Sequence, residues 1–221
     1  MCVLDYVVPS PLGSKWGLGG TCVNVGCIPK KLMHKAGVHG EDIEAAERFG
    51  WTTEKKEHNW NKMVSQIQDY IASLNYGYKS DLRSEKVEYI NAYGSFTDDH
   101  TVALNFGPGN EAKNKSITAD KVLIAVGGRP AVLSCSGGEL AMTSDDIFSQ
   151  KKSPGPKICI VGASYVALEI AGFLTAVGFD VTILVRSILL RGFDQQMAEL
   201  IKEYMKSHNS KFVDGVRITV S

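Results

Sequence analysis

Gly19-Gly-Thr-Cys-Val-Asn-Val-Gly-Cys-Ile-Pro-Lys-Lys31 is the stretch from which the rest of this 221-residue chain is read. It holds Cys22 and Cys27 with four residues between them, which is not the two-residue spacing of zinc knuckles or thioredoxin-like pairs. Gly19, Gly20 and Gly26 carry no Cβ and let backbone come close to a flat ligand. The Ile28-Pro29 pair suits the first turn of a helix, where proline's missing N–H costs nothing. A helix beginning near Cys27 would set its free N–H groups and dipole beside that sulfur and favour a thiolate, and Lys30 and Lys31 add positive charge. These are the conditions for a redox-active dithiol. The bare pair also admits two buried, unpaired cysteines in an ordinary core.

The surrounding composition narrows the class. Lysine plus arginine and aspartate plus glutamate are both 24, so the formal net charge is zero, and nothing points to nucleic acid or an acidic membrane surface. No apolar run of 18 residues exists, so no membrane-spanning helix is expected. The first residues lack the basic-then-apolar layout of a signal peptide. Five cysteines in a chain of this length do not make a secreted disulfide scaffold, and a reducing compartment with one catalytic pair fits better: the cytoplasm, with a mitochondrial form as the alternative.

Working outward, Val3-Leu4 reads as the end of a buried strand, with Asp5 at its carboxyl edge. In a dinucleotide-binding unit such an acid holds a ribose hydroxyl; alone, it would be a solvated turn residue. Residues 28–48 have helical composition, and the apolar spacing through 60–76 predicts an amphipathic helix. Val87–Tyr93, Thr101–Phe106, Lys115–Thr118 and Lys121–Val126 are strand candidates, the last running into Gly127-Gly128-Arg129-Pro130. A boundary between two units is expected around 127–156.

A second pattern follows. Lys157–Val161 is a continuous apolar strand, and Gly162-Ala163-Ser164-Tyr165-Val166-Ala167 stands where Gly-x-Gly-x-x-Gly/Ala would. A helical run from Leu168, then Gly178 and a second strand, Asp180–Val185, complete a strand–turn–helix–strand unit that places a pyrophosphate over a helix N-terminus. The second strand ends in Arg186 and Ser187, with Arg191 beyond, where NAD-binding units usually carry an acid. Two guanidinium groups and a hydroxyl suit a 2′-phosphate, hence NADPH; two surface arginines at a strand end is the plainer reading.

These motifs resemble the pyridine nucleotide–disulfide oxidoreductases. Trp16-Gly17-Leu18 and Leu32-Met33-His34 around the cysteines, with Ser187-Ile-Leu-Leu-Arg-Gly-Phe-Asp194, look most like the large, animal-type thioredoxin reductases within that family. The resemblance implies an α/β fold of two Rossmann-like dinucleotide-binding units with an inserted short antiparallel β-meander. It divides the chain into a partial FAD-binding domain (1–126), a connecting segment (127–156) and a partial NADPH-binding domain (157–221). It implies NADPH reducing FAD, FAD reducing a Cys22–Cys27 disulfide, and electrons passing on to thioredoxin or another small disulfide. Cys27 would lie nearer the flavin, Lys30 beside its reactive nitrogen with Glu169 as partner, and Tyr165 over it as a gate.

Asp5, Gly20, Thr21, Tyr93, Gly94 and Gly127 would contact FAD. Gly162, Ala163, Ser164, Tyr165, Val166, Arg186, Ser187 and Arg191 would contact NADPH. Two departures stand out: Val126 replaces the threonine usual before the Gly127 turn, and residues after Val213 leave the family pattern. The resemblance also implies further segments on both sides of the chain: a first Gly-rich turn before residue 1, and a homodimer-forming domain with a His-Glu pair and a redox tail after residue 221. An incomplete enzyme, inactive by itself, is therefore expected. A glutathione reductase or a fused thioredoxin–glutathione reductase, a non-catalytic NADP-binding fragment, and a metal-binding cysteine protein remain open.

Overall fold

The computed structural model describes residues 1–52 and 57–216. In chain order the elements are β1 (Cys2–Leu4), α1 (Gly20–Val25), α2 (Cys27–Ala46), α3 (Trp60–Ser84), β2 (Glu88–Ile90), β3 (Tyr93–Phe96), β4 (Thr101–Asn105), β5 (Lys115–Thr118), α4 (Ser144–Ile147), β6 (Lys157–Val161), α5 (Tyr165–Ala176), β7 (Asp180–Val185), α6 (Gln195–Ser207) and β8 (Lys211–Asp214). Three small sheets result: parallel β1–β2, antiparallel β3–β4–β5, and parallel β6–β7–β8. The fold is mixed α/β.

Local chemistry accounts for the long helices. Asn59 caps α3 by accepting from the Lys62 N–H at 2.9 Å, and Trp60, Val64, Ile67 and Ile71 form its buried stripe. The helix runs eight residues beyond the expected 76, because its last turns have a surface to lie on. Tyr78 packs against Gly19, and the Lys79 ammonium sits 5.7 Å from the Tyr89 ring centroid.

Most buried side chains form one continuous cluster, from Val25 and Met33 through Trp60 and Phe148 to Phe173, Ile183 and Met205. The meander has a separate small core of Ile90, Ala92, Val102 and Leu104. The central strand β7 carries this pattern furthest: Val181, Ile183 and Val185 are fully buried while the alternate residues are not.

Three strand expectations are corrected. Lys121–Val126 is not a strand; its backbone pairs with nothing regular, and Leu123 and Val126 are 90% and 89% exposed. A strand needs a neighbour to accept its N–H groups, and among the described residues none lies alongside. Val87–Tyr93 splits into β2 and β3, which pair with β1 and β4 respectively, with the chain turning at Asn91 and Ala92. Lastly, Val3-Leu4, expected to end a buried strand, lies in β1 but is only half buried, since β1 has one neighbour among the described residues; Lys157–Val161 forms β6 with the expected bounds.

Candidate active site: the dithiol helices and the dinucleotide cavity

Cys22 lies in the short helix α1 and Cys27 is the first residue of α2. Gly26 makes the break between the two helices, with a Cβ there excluded by the Thr21 and Cys22 backbone. The sulfurs are joined as a disulfide with Cα atoms 4.6 Å apart, inside the usual span. Both cysteines are exposed. No side chain caps α2, so its first-turn N–H groups remain available beside Cys27.

A buried asparagine and a half-buried one fix α1. Asn24, 2% exposed, donates to the Gly20 carbonyl at 2.8 Å and accepts from Asn75 of α3 at 2.9 Å. Asn75 also donates to the Leu18 carbonyl at 2.5 Å. The buried Asn24 amide would be costly to leave unpaired, so this brace specifies one position for the helix that carries Cys22.

The α2–α5 crossing brings in the other charged residues. Gly37 allows it, since an added Cβ would stand 2.6 Å from the Ala176 Cβ. On the same two helices Lys30 forms an ion pair with Glu169, and the Lys30 ammonium lies 5.5 Å from the Tyr165 ring centroid. Lys30 is largely buried and Glu169 half exposed, so the pair is partly screened.

Tyr165 also lines an open cavity of about 520 Å³ with Gly162, Ser164, Arg186, Ser187 and Arg191. Gly162 takes φ of 126°, a conformation that favours glycine, and its N–H donates to the Leu184 carbonyl at 3.1 Å. Ser164 is the N-cap residue of α5 yet makes no side-chain cap, which leaves a bare helix N-terminus at the turn. Arg191 donates to the Ser187 hydroxyl at 2.8 Å, holding one guanidinium over the strand end. Ala163 accepts from the Leu190 N–H at 2.9 Å, and Val166 packs on the main core. An uncapped helix N-terminus with two guanidinium groups is an anion site by its donor set.

The remaining expected contacts gather near the first sheet. The Asp5 carboxylate accepts from the Gly19 N–H; burial pushes its pKa up, and that hydrogen bond pulls against the shift. Gly20 and Thr21 follow in α1, exposed beside this contact. Tyr93 meets Tyr6 edge-on at 6.4 Å, and a Cβ on Gly94 would reach Leu4 Cδ1 at 2.8 Å. Gly127 lies on the exposed 120–130 segment with φ of 65° and open space around it.

Sequence reasoning missed a polar hub next to these residues. Asp145 and Asp146 of α4 are each 2% exposed. Asp146 accepts from Ser10 and Ser14 hydroxyls of the N-terminal loop and closes a capping box with Thr143. Asp145 accepts from Arg129 Nε at 2.8 Å, and the same guanidinium donates to the Val8 carbonyl at 2.7 Å and lies 4.7 Å from the Trp16 ring centroid. The visible signal was the Thr143-x-x-Asp146 spacing of a capping box. Among the described residues, no group of three or more His, Cys, Asp or Glu side chains is gathered for a metal, and no helix is long and apolar enough to cross a membrane.

With that geometry in hand, a family model described as pyridine nucleotide-disulphide oxidoreductase matches residues 12–220. Thioredoxin reductase SEP1 of Emiliania huxleyi is 54% identical over 216 residues, an overlap that covers 97% of this chain and 43% of that relative. The chain thus spans less than half the length of the curated relative it matches.

Proposed function

The chain belongs to the pyridine nucleotide–disulphide oxidoreductases, and on that footing we propose that it carries the dithiol and the NADPH site of an FAD-dependent thioredoxin-disulfide reductase. In this reading β1–β2 and β6–β8 belong to two dinucleotide-binding units, residues 1–126 and 157–221, joined by 127–156; residues 217–221 lie outside the described part. The observation that carries the proposal is the α2–α5 crossing. It ties the helix that begins at Cys27 to the helix whose N-terminus opens on the two-arginine cavity, through Lys30 and Glu169.

The residues present fit the two cofactors. Gly20 and Gly127 leave open space where a Cβ would stand, as a close-lying flat ring needs, and Asp5 offers a carboxylate at the β1 end. Arg186, Arg191 and the α5 N-terminus match a phosphorylated dinucleotide. When bound, FAD supplies two-electron transfer from NADPH to a disulfide.

The chain's own residues do the rest. Glu169 holds the Lys30 ammonium beside Tyr165, which stands half exposed at the cavity rim as a gate. Reduction breaks the S–S bond with two electrons, and the α2 N-terminus stabilises the negative charge left on the Cys27 sulfur. The Cys22 sulfur then attacks the next disulfide in the relay, expelling one of its sulfurs as a thiolate. Cys27 displaces that mixed disulfide from Cys22, which restores the pair and delivers both electrons toward thioredoxin.

A second reading has its own support. Among the described residues β1 pairs on one edge only and residues 121–126 are exposed, which favours NADP binding without flavin turnover for the 221-residue chain.

Thiol alkylation after incubation with NADPH and FAD separates the two readings. The reductase reading expects Cys22 and Cys27 to become alkylated; NADPH binding with an intact disulfide would leave the second. Arg186→Ala should weaken NADPH binding about 10- to 100-fold, the loss of one charge-assisted phosphate contact, with NADH unchanged. Equal losses for both cofactors would refute a 2′-phosphate role.

A further inference from the structure

One wall of the dinucleotide cavity comes from outside the strand–turn–helix unit. Leu133, in the connecting segment, lines it together with Arg186 and Arg191, while every other lining residue falls between 161 and 216. Leu133 is anchored on both sides. Five residues later Gly138 is buried against it; a Cβ there would stand 3.1 Å from the Leu133 Cβ and closer still to its carbonyl. That turn is closed by the Gly138 N–H donating to the Cys135 carbonyl at 2.9 Å, with Gly137 at φ of 79°.

Four residues earlier, Arg129 is gripped by Asp145, the Val8 carbonyl and the Trp16 ring. Asp145 is buried, so its charge needs that guanidinium, and the grip is not optional. Pro130 stiffens the short span between grip and wall by fixing φ.

We propose that Leu133 is a nucleotide-contacting residue supplied by the connecting segment, and that Arg129 is a positioning residue that acts through it. The ligand is a nucleotide bearing a 2′-phosphate: the arginines hold the phosphate and Leu133 presents an apolar face to ribose or base. The inference rests on the NADP reading of this cavity. It also gives the hub on α4 a role, because the groups that fix Arg129 come from α4 and from the N-terminal loop that precedes the dithiol.

The test is equilibrium binding of 2′,5′-ADP to the 221-residue chain without flavin, by calorimetry. Leu133→Ala should weaken binding about fivefold, the worth of a partly buried side chain's contact. Arg129→Ala should weaken it by a similar factor although it touches no ligand, and Arg129→Lys should not rescue it, since an ammonium lacks the planar fork. The double variant should bind no worse than Leu133→Ala alone. Should Arg129→Ala fail to fold, Leu133→Ala and Arg129→Lys decide. Wild-type affinity in Leu133→Ala, or effects of the two substitutions that multiply, would overturn the proposal. If the unmodified chain does not bind 2′,5′-ADP, the NADP reading falls and this inference with it. Binding that is sensitive to Arg186→Ala but indifferent to Leu133→Ala removes only the inference.

Discussion

The two parallel sheets differ in how far along the chain they must reach to be built. The β6–β7–β8 sheet is assembled from contiguous sequence, its strands joined through α5 and α6, and the inward face of β7 (Val181, Ile183, Val185) is fully buried. The β1–β2 sheet pairs Cys2 with Glu88 and Leu4 with Ile90, so it closes a loop of more than 80 residues, and β1 has no second partner among the described residues. Loop closure is an entropic cost, and the reward here is a three-residue pairing. The comparison teaches that the cavity side is held by its own packing. The dithiol helices share that core through Val25, Met33 and Trp60, but the β1 end and the N-terminal loop rely on long-range polar ties: the asparagine brace, the Asp145–Arg129 grip and the Asp146 hydroxyl cluster.

The largest effect should come from emptying the better-packed side. Phe173 is fully buried in α5, with its ring 6.2 Å from that of Phe148. Phe173→Ala should cost about 4 kcal/mol, through lost transfer energy and a cavity that rigid neighbours cannot close. Ile90→Ala, in the small core beside β1, should cost about 2 kcal/mol, at the low end for such a change, because half-exposed neighbours can relax into the gap. Urea unfolding of both variants measures the contrast. Equal losses would mean that the first sheet is packed as firmly as the second.

A smaller, pH-dependent effect should mark the polar ties. Burial would raise the Asp146 pKa, but hydrogen bonds from Ser10, Ser14 and Thr143 outweigh it and hold the carboxyl below its ordinary range. A depressed folded-state pKa contributes stability above the unfolded value of about 4 that is lost as pH falls through the folded value. Asp146→Asn should therefore lower stability at pH 7 by about 1–2 kcal/mol, as one charged acceptor of several donors is replaced by an amide. The difference from wild type should shrink below about pH 4. A pH-independent difference would show that the carboxylate charge is not what ties the N-terminal loop to α4.

How much was legible beforehand follows the same division. The Cys22–Cys27 loop, the Gly162 turn and the Arg186–Arg191 pair were readable because each is a local pattern whose chemistry is carried by residues a few positions apart. The α2 start at Cys27 followed from the Ile28-Pro29 pair for the same reason. Arg129 and Leu133 were not readable, since their partners lie at residues 8, 16, 145 and in the cavity wall, and nothing in the spacing of Gly-Gly-Arg-Pro announces them. The Lys121–Val126 error has a physical cause too. An apolar, β-branched run is a strand only where a neighbouring strand accepts it, and sequence periodicity reports the first condition without the second.

The smallest expected effect tests that last statement directly. Leu123 is 90% exposed, and neither a hydrogen bond nor a core contact engages its side chain among the described residues. If this side of the molecule is as open as the exposure of residues 121–126 suggests, Leu123→Glu should change unfolding free energy by no more than about 0.5 kcal/mol, as for other exposed positions. It should also reduce concentration-dependent self-association measured by light scattering, because a charge in an exposed apolar run discourages strand pairing between chains. Phe173→Ala serves as the internal scale: the ratio of the two losses should be about eight or more by the same area and cavity arithmetic. A loss of 2 kcal/mol or more at Leu123 would break the comparison, for it would mean that residues 121–126 are buried in solution and that the dithiol side carries a packed strand after all.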